Sequence, residues 1–245
     1  LLEHIQLNSV ASQQSTIYNI KLRLSKEGVK VYISQDSYHW LKATCLLQAQ
    51  VRNNWNNPGS TVYGYTQSET VDMGLRSLRF QLIGQLTDHV FIYTQFGMNN
   101  LNYLAARKQG AFFHDVVAEY KVWKKKKYLS IGTGLTSIGG PLRYSAPGVG
   151  SILMADLPIY QQTTNDQTDQ FGRKLGVYLK GQIGRFDYRI GAGKPMPVQT
   201  ASPVDTVIST NSKFSPLPPK LQYQAYFKWH FFDIENNNVA YNTGT

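Results

Sequence analysis

The chain has 245 residues, of which 13% are aromatic, 16% are charged and 20 are glycine, a profile that suits alternating strands better than a helical bundle. It contains no run of roughly 18 apolar residues, which argues against a transmembrane helix. Its single cysteine, Cys45, excludes a disulfide framework or a multi-cysteine metal site within the chain. The net charge of +10 favours an anionic partner: nucleic acid, lipid headgroups or small anionic solutes.

Residues 1–39 fit the pattern of the remaining sequence poorly and are predicted to form a separate N-terminal segment. Within this segment, residues 18–24 and 29–33 flank Lys26, Glu27 and Gly28. This arrangement predicts a short hairpin.

From residue 40 onward, apolar and polar side chains alternate with a period of two, which predicts strands with one apolar and one polar face. The first segment places Leu41, Cys45 and Val51 on one face and Lys42, Thr44 and Arg52 on the other. Eight segments follow this pattern, at 41–52, 75–86, 89–98, 115–122, 129–135, 174–183, 185–192 and 220–231.

The lengths of these segments and of their connections indicate a membrane protein. The clearest segments have about 10 to 12 residues, longer than the five or six of soluble sheets and long enough to cross a bilayer at a tilt. Connections alternate between long (54–74, 99–110, 137–172, 196–219) and short (87–88, 124–126, 184). Outer-membrane barrels have long external loops and short periplasmic turns. We therefore predict an all-β fold, a transmembrane antiparallel up-and-down β-barrel spanning residues 40–245.

Two stretches carry a resemblance to a known family. The sequence Arg-Phe-Gln-Leu-Ile-Gly-Gln-Leu-Thr at 79–87, followed by Tyr-Thr-Gln-Phe at 93–96, resembles strands of the phosphate-selective porin O/P family of Gram-negative outer membranes. Asp-Gln-Phe-Gly-Arg-Lys-Leu-Gly-Val at 169–177, continuing into Gly-Arg-Phe-Asp-Tyr at 184–188, is similar as well. The resemblance covers residues 40–245.

The resemblance implies a passive porin in the Gram-negative outer membrane that admits small anionic solutes such as phosphate and needs no cofactor. It also implies a homotrimer of barrels with about 16 strands each, whereas eight are legible here. The chain ends at Thr245 without the terminal aromatic residue usual in such barrels. We therefore expect a further C-terminal half.

The polar face of the predicted barrel would line a water-filled lumen, where basic residues outnumber Asp115, Glu119 and Asp187. The basic residues are Lys42, Arg52, Arg79, Lys121, Lys174, Lys180, Arg185, Arg189, Lys220 and Lys228. Such a lining lowers the cost of entry for anions and raises it for cations. The alternative is that these charges keep the lumen wet and pair with one another.

The long loop at 137–172 is predicted to fold inward and narrow the pore, with Arg143 lining the anion path. The alternative for Arg143 is an exposed loop residue. The basic run at 124–127 would contact outer-membrane lipid or form a solvated turn. Aromatic residues near strand ends are consistent with an interfacial girdle, or with the core of a soluble barrel. They include Trp40, Trp123, Phe186, Trp229 and Phe231.

Other functions have weaker support. The five histidines are scattered and no nucleophile motif or phosphate loop occurs, so neither an enzyme nor a metal site is predicted. Nucleic-acid binding is disfavoured because the basic residues alternate along strands and form no compact patch with stacking aromatics. Two alternatives to a channel stay open: a structural or accessory barrel within a larger envelope complex, its lumen plugged by residues 137–172, and a soluble β-sheet binding protein.

Overall fold

The computed structural model describes residues 21–25, 28–34, 37–102, 104, 110–136, 173–195, 220–234 and 237. Within these ranges all regular structure is β-strand. The strands are β1 (Lys21–Ser25), β2 (Gly28–Tyr32), β3 (Trp40–Trp55), β4 (Thr61–Val62), β5 (Tyr65–Thr66), β6 (Glu69–Gln85), β7 (Val90–Asn102), β8 (Phe112–Lys121), β9 (Ser130–Thr136), β10 (Lys174–Ile183), β11 (Phe186–Lys194) and β12 (Gln222–Trp229). In this described part of the chain, no helix has the length and apolar character needed to cross a membrane.

Ten strands form one antiparallel sheet in the order β1-β2-β3-β6-β7-β8-β9-β10-β11-β12. Each strand pairs with the next strand of this sheet along the chain, and β4 and β5 fall between β3 and β6 without joining it. The all-β prediction is confirmed at this level, and each of the eight segments predicted from residue 40 onward corresponds to one strand of the sheet. Several strands are long, with 16 residues in β3, 17 in β6 and 13 in β7.

The N-terminal strands lie where the sequence predicts a short hairpin. β1 pairs with β2 from Lys21 opposite Tyr32 to Ser25 opposite Gly28. β2 then pairs with β3, with Val31 opposite Leu41 and Tyr32 opposite Trp40. The sheet therefore begins before residue 40, the predicted start of the barrel. Residues 1–20 lie outside the described residues.

The connection predicted at 54–74 is much shorter than expected, because the flanking strands continue to Trp55 and from Glu69. The Asn56 main-chain N–H donates to the Ser68 carbonyl oxygen at 2.8 Å, which extends the pairing by one further bond. Between them, β4 and β5 form a separate hairpin. Its central residues, Tyr63 and Gly64, have φ values of 51° and 84°, as a type I′ turn requires.

The chain divides into two compact units. Unit 1 comprises Leu1–Ile83 with Gln95–Phe113, and unit 2 comprises Gly84–Thr94 with His114–Thr245.

In unit 1 the apolar side chains are the exposed ones. On β3, Leu47 is 62% exposed and Val51 71%, whereas Thr44, Gln48 and Gln50 on the opposite face are half-buried. On β6 the buried side chains are first Asp72, at an even-numbered position, and then Ser77 and Arg79, at odd-numbered positions. The alternation therefore changes phase between residues 72 and 77. One extra residue in a bulge has this effect on a strand.

The same inversion holds from β8 to β12 in unit 2, whereas β7 buries Phe91 and Tyr93. Its polar face carries buried side chains, chiefly Asp115 and Glu119 of β8, Ser130 of β9, Tyr178, Lys180 and Gln182 of β10, Asp187 and Arg189 of β11, and the half-buried Lys228 of β12. Its apolar face carries exposed side chains, chiefly Val116 and Tyr120 of β8, Ile131 of β9, Val177 and Leu179 of β10, Ile190 of β11, and Tyr223, Phe227 and Trp229 of β12. A sheet in water normally places its apolar face inward and its polar face outward.

Candidate functional site: the polar face of unit 2

The register of the strands brings Tyr178 next to Glu119. Glu119 on β8 lies opposite Gly132 on β9, and Gly132 lies opposite Tyr178 on β10. The Tyr178 hydroxyl donates to the Glu119 carboxylate Oε1 at 2.5 Å. A Cβ atom at position 132 would overlap the Tyr178 ring. The ring therefore crosses the intervening strand over the space that glycine leaves.

Lys180 completes this group. Its ammonium lies 2.7 Å from the Oε1 atom of Glu119, and the two side chains are 3% and 0% exposed. Removing two charges from water costs several kcal/mol per ion, which the attraction offsets only when the remaining lone pairs and protons are satisfied. The hydroxyl of Tyr178, on the same carboxylate, supplies one such hydrogen bond. Removing one partner would leave an uncompensated charge.

Two residues further along the strands, a row of basic residues, the cation row, crosses the polar face. Lys121, Ser130, Lys180 and Arg189 lie opposite one another on four successive strands. The ammonium groups of Lys121 and Lys180 lie 5.5 Å and 5.8 Å from the centre of the Phe91 ring. Such placement stabilises a cation by its attraction to the ring face. Lys121 also donates to the Gln85 side-chain oxygen at 2.5 Å.

Asn237 packs against this row from outside the sheet. Its Oδ1 atom accepts from the Arg189 guanidinium at 2.9 Å, and its Nδ2 atom donates to the Gly181 carbonyl oxygen at 3.3 Å. Its side chain is buried. The polar face is therefore covered here by a residue that does not belong to a strand.

The other two carboxylates of the face also have cationic or titratable neighbours. Arg173 donates from Nε and Nη2 to both oxygens of Asp115, each at 3.3 Å. The Nε2 atom of His230 lies 3.9 Å from Asp187 Oδ2, and both side chains are buried. All three carboxylates of this face thus lie close to a basic or titratable side chain.

The connection between β8 and β9 is a basic, aromatic turn. Lys124 forms a 2.5 Å ion pair with Asp88, and this hydrogen bond together with the carboxylate charge raises the pKa of Lys124. Partial burial lowers the pKa of Lys127. The Lys126 ammonium lies 5.2 Å from the centre of the Tyr128 ring, which meets Trp123 edge-on. The bond from the Val122 N–H to the Leu129 carbonyl oxygen closes the pairing of β8 with β9. It leaves residues 123–128 in the turn, which is therefore longer than the predicted 124–126.

A small cavity of about 20 Å³ opens where this turn meets the cation row. Its lining residues are Lys121, Lys127, Ser130, Lys180, Gly181 and Asn237.

The basic residues predicted to line an anion path do not form one group. Lys121, Lys174, Lys180, Arg189 and Lys228 lie on the polar face of unit 2, where Lys174 donates to Gln222. Arg185 and Lys220 are exposed at strand ends, and the Arg185 guanidinium donates to the main-chain oxygens of His230, Phe231 and Phe232. Arg143 and the rest of loop 137–172 lie outside the described residues.

The remaining three predicted residues belong to unit 1. Lys42 is half-buried on β3. Arg52 forms a 2.5 Å ion pair with Asp72. The buried Arg79 donates to the main-chain oxygens of Leu78 and Met98 and to the Asn99 side chain. Hydrogen bonds to groups of β6 and β7 therefore hold the Arg79 side chain in place.

Sequence reasoning alone misses several participants. It omits Asp72 because the phase of alternation changes along β6, and it omits Arg173 because this residue precedes the predicted strand. It places Tyr178 on the polar face, but the contact of Tyr178 with Glu119 depends on pairing across the 37 residues between β9 and β10. The glycine at 132 opposite a tyrosine is the signal that could have revealed this contact.

Among the described residues, no group of three or more histidine, cysteine, aspartate or glutamate side chains is placed to hold a metal ion. No protein-family model matches the chain, and no curated protein matches it.

Proposed function

We propose that the chain forms the wall of an outer-membrane β-barrel porin, through which small anionic solutes such as phosphate diffuse passively. The observation that carries this proposal is the inverted sheet, with exposed apolar and buried polar side chains in both units. In water such an exposed band would be a large liability, whereas lipid is the solvent that suits it.

Element lengths and aromatic positions add independent support. The 10 residues of β8 and of β10 match the 9 to 11 or so that a tilted transmembrane strand needs. Trp123, Tyr128 and Trp229 are exposed at or beyond strand ends, where barrels place interfacial aromatics. The resemblance of residues 79–87 and 169–177 to the phosphate-selective porin O/P family agrees with this location.

Anion preference is inferred from the charge of the polar face in unit 2. Its basic side chains are Lys121, Arg173, Lys174, Lys180, Arg189 and Lys228, against the carboxylates Asp115, Glu119 and Asp187. The ion pairs use up carboxylate charge and leave a net positive face. A positive lining favours the passage of anions.

A second candidate function is a structural or accessory barrel within a larger envelope complex. One observation favours it: charged side chains of the polar face are nearly inaccessible, with Asp115 at 0% and Lys180 at 3% exposure. The lumen of an open pore would leave such groups in contact with water. Both candidates share the membrane location and differ in conductance.

Reversal potentials in a salt gradient separate the candidates. We expect the purified full chain in a planar bilayer to conduct chloride in preference to potassium. Lys228→Gln, which removes one charge from the face, should lower the permeability ratio about twofold, the effect of roughly 0.4 kcal/mol expected for a charge acting through water.

Lys125→Gln makes the same charge change in an exposed turn and serves as the control, with a smaller shift. Cation preference would refute the anion channel. Insertion without conductance would leave the accessory barrel, and a fold that is stable in water without detergent would refute both.

A further inference from the structure

The turn between β8 and β9 has two exposed lysines at its tip. It comprises residues 123–128, and Lys125 and Lys126 at its centre are both exposed. The turn contains four lysines and no acidic residue.

The other two lysines of the turn lie near carboxylates. Lys124 forms its 2.5 Å ion pair with Asp88, in the connection between β6 and β7. The carboxylate of Asp187 opposes the lowering of the Lys127 pKa by partial burial. These carboxylates offset the charges of Lys124 and Lys127, so the positive charge offered to a partner rests on the two lysines at the tip.

Two aromatic rings form the base of the same turn. Trp123 and Tyr128, at its two ends, meet edge-on with ring centroids 6.0 Å apart, and they are 46% and 40% exposed. The Lys126 ammonium lies 5.2 Å from the centre of the Tyr128 ring. A ring face attracts a cation by its quadrupole, and this contact gives none of the three N–H donors of the ammonium a lone pair. An acceptor oxygen can therefore bind Lys126 in addition to the ring.

The apolar face of β8 and β9 leads up to this turn. Tyr120 lies opposite Ile131, and the two side chains are 51% and 47% exposed. The Val122 N–H donates to the Leu129 carbonyl oxygen at the last step of the pairing. From strand to tip, the order is therefore exposed apolar, then aromatic, then basic. A bilayer presents the matching order of hydrocarbon, interface and headgroup phosphate.

The end of β12 extends this aromatic edge in unit 2. A main-chain bond from Gln182 N–H to the Lys127 carbonyl oxygen places the turn beside the connection between β10 and β11, and the Arg185 carbonyl oxygen there accepts from the His230 N–H. Residues 231 and 232, both phenylalanine, are 78% and 88% exposed just beyond β12. Exposed aromatic side chains are thus present on both sides of the connection between β10 and β11.

We propose that the turn at 123–128 docks on the headgroups of anionic phospholipids. Lys125 and Lys126 donate to the headgroup phosphates, while Trp123 and Tyr128 lie at the level of the interface. A zwitterionic headgroup carries its own cation beside the phosphate and attracts the tip less. The proposal rests on the proposed membrane location and names the class of lipid that this end of unit 2 prefers.

Quenching of Trp123 fluorescence by brominated lipids reports which lipids lie beside the turn. The probe is the full chain with Trp40→Phe, Trp55→Phe and Trp229→Phe, which leaves Trp123 as its one tryptophan. In phosphatidylcholine vesicles we expect brominated phosphatidylglycerol to quench Trp123 more than brominated phosphatidylcholine does at the same mole fraction.

Variants of the two tip lysines test their part in this preference. Lys125→Gln and Lys126→Gln should each lower the preference for phosphatidylglycerol about fivefold, the effect of one lysine near an anionic surface. Lys125→Arg combined with Lys126→Arg should retain it, because the charge and the N–H donors remain. Circular dichroism of each variant checks that the sheet is intact.

Lys194→Gln combined with Lys220→Gln is the matched control for the double glutamine variant of the tip. It removes two exposed charges at the opposite ends of β11 and β12 and should leave the quenching of Trp123 unchanged. An equal loss in the control would mean attraction by net charge alone and would overturn the proposal. Equal quenching by the two lipids would overturn it while leaving the membrane location intact, whereas quenching by neither lipid would refute both.

Discussion

Tyr178 reaches Glu119 across a strand because the residue between them lacks a side chain. The ring occupies the space above Gly132, and its hydroxyl binds the carboxylate that also holds Lys180. A second pair has the same form on the apolar face, where Tyr188 lies opposite Gly181 and donates to the Tyr128 carbonyl oxygen at 2.7 Å. In both pairs the glycine has no side chain, and the tyrosine ring of the neighbouring strand occupies the space that a side chain would fill.

Gly132→Ala is expected to destabilise the protein by about 2 kcal/mol, because the new methyl group would overlap the Tyr178 ring. Denaturant unfolding in detergent micelles measures the loss. In a Tyr178→Ala background the same substitution should cost much less, since the ring is gone. Equal cost in both backgrounds would show that glycine matters here for its backbone rather than for the ring.

The turn lysines should titrate differently. Because the pKa of Lys124 is raised above 10.5 by Asp88, its ion pair stabilises the fold fully below pH 10.5, and this contribution is lost as the pH rises through the folded-state pKa. Lys127, with a lowered pKa, loses its proton first. Competitive labelling with an amine-reactive reagent at alkaline pH should therefore modify Lys127 ahead of Lys124.

Asp88→Asn removes the cause of the Lys124 shift and is the matched test. Labelling of Lys124 should then begin at a lower pH, while labelling of Lys127 stays unchanged. A Lys124 midpoint that does not move in this variant would refute the role of Asp88.

At the scale of the strand, the alternation of side chains was predictable from the sequence, whereas its interruptions were not. The predicted opposition of Val116 and Tyr120 to Asp115 and Glu119 on β8 is present in the structure. Period two is a local property, so local sequence suffices for it. The change of phase along β6 has no compositional signal, and the turn at Tyr63 lacks the Asn-Gly or Asp-Gly pair that marks such turns.

A substitution to lysine on the apolar face tests whether lipid or water surrounds the strand. Val177 on β10 is 56% exposed, and in water Val177→Lys would change stability by less than about 0.5 kcal/mol. Within a bilayer the same substitution should cost about 2 to 4 kcal/mol. Unfolding in phospholipid vesicles measures this difference.

Thr61→Lys on the exposed β4 hairpin introduces the same charge outside the ten-stranded sheet and should be nearly neutral. If Val177→Lys were equally neutral, the apolar face would not contact lipid.

At the scale of the whole chain, the candidate site is less completely predictable than the fold. Side-chain alternation places Lys121, Lys180 and Arg189 on one face, but only the pairing of β8, β9, β10 and β11 places them in one row. Which residues pair across neighbouring strands depends on the number of residues in the connection between those strands. Asn237, which lies beyond β12, has no periodic signal at all.

The order of the strands bears on how the chain assembles. Because each strand of the sheet pairs with its predecessor in the sequence, the sheet can grow by successive addition of hairpins, and most steps close only a short loop. Contacts that are local in sequence favour rapid folding. The exceptions are the junction of β9 with β10, separated by residues 137–173, and that of β11 with β12, separated by residues 195–221. Each doubling of loop length adds about 0.6 kcal/mol of closure entropy. Growth from the N-terminal strands should therefore slow at β9, and the ion pairs of Lys180 and Arg173 can form only after that step is complete.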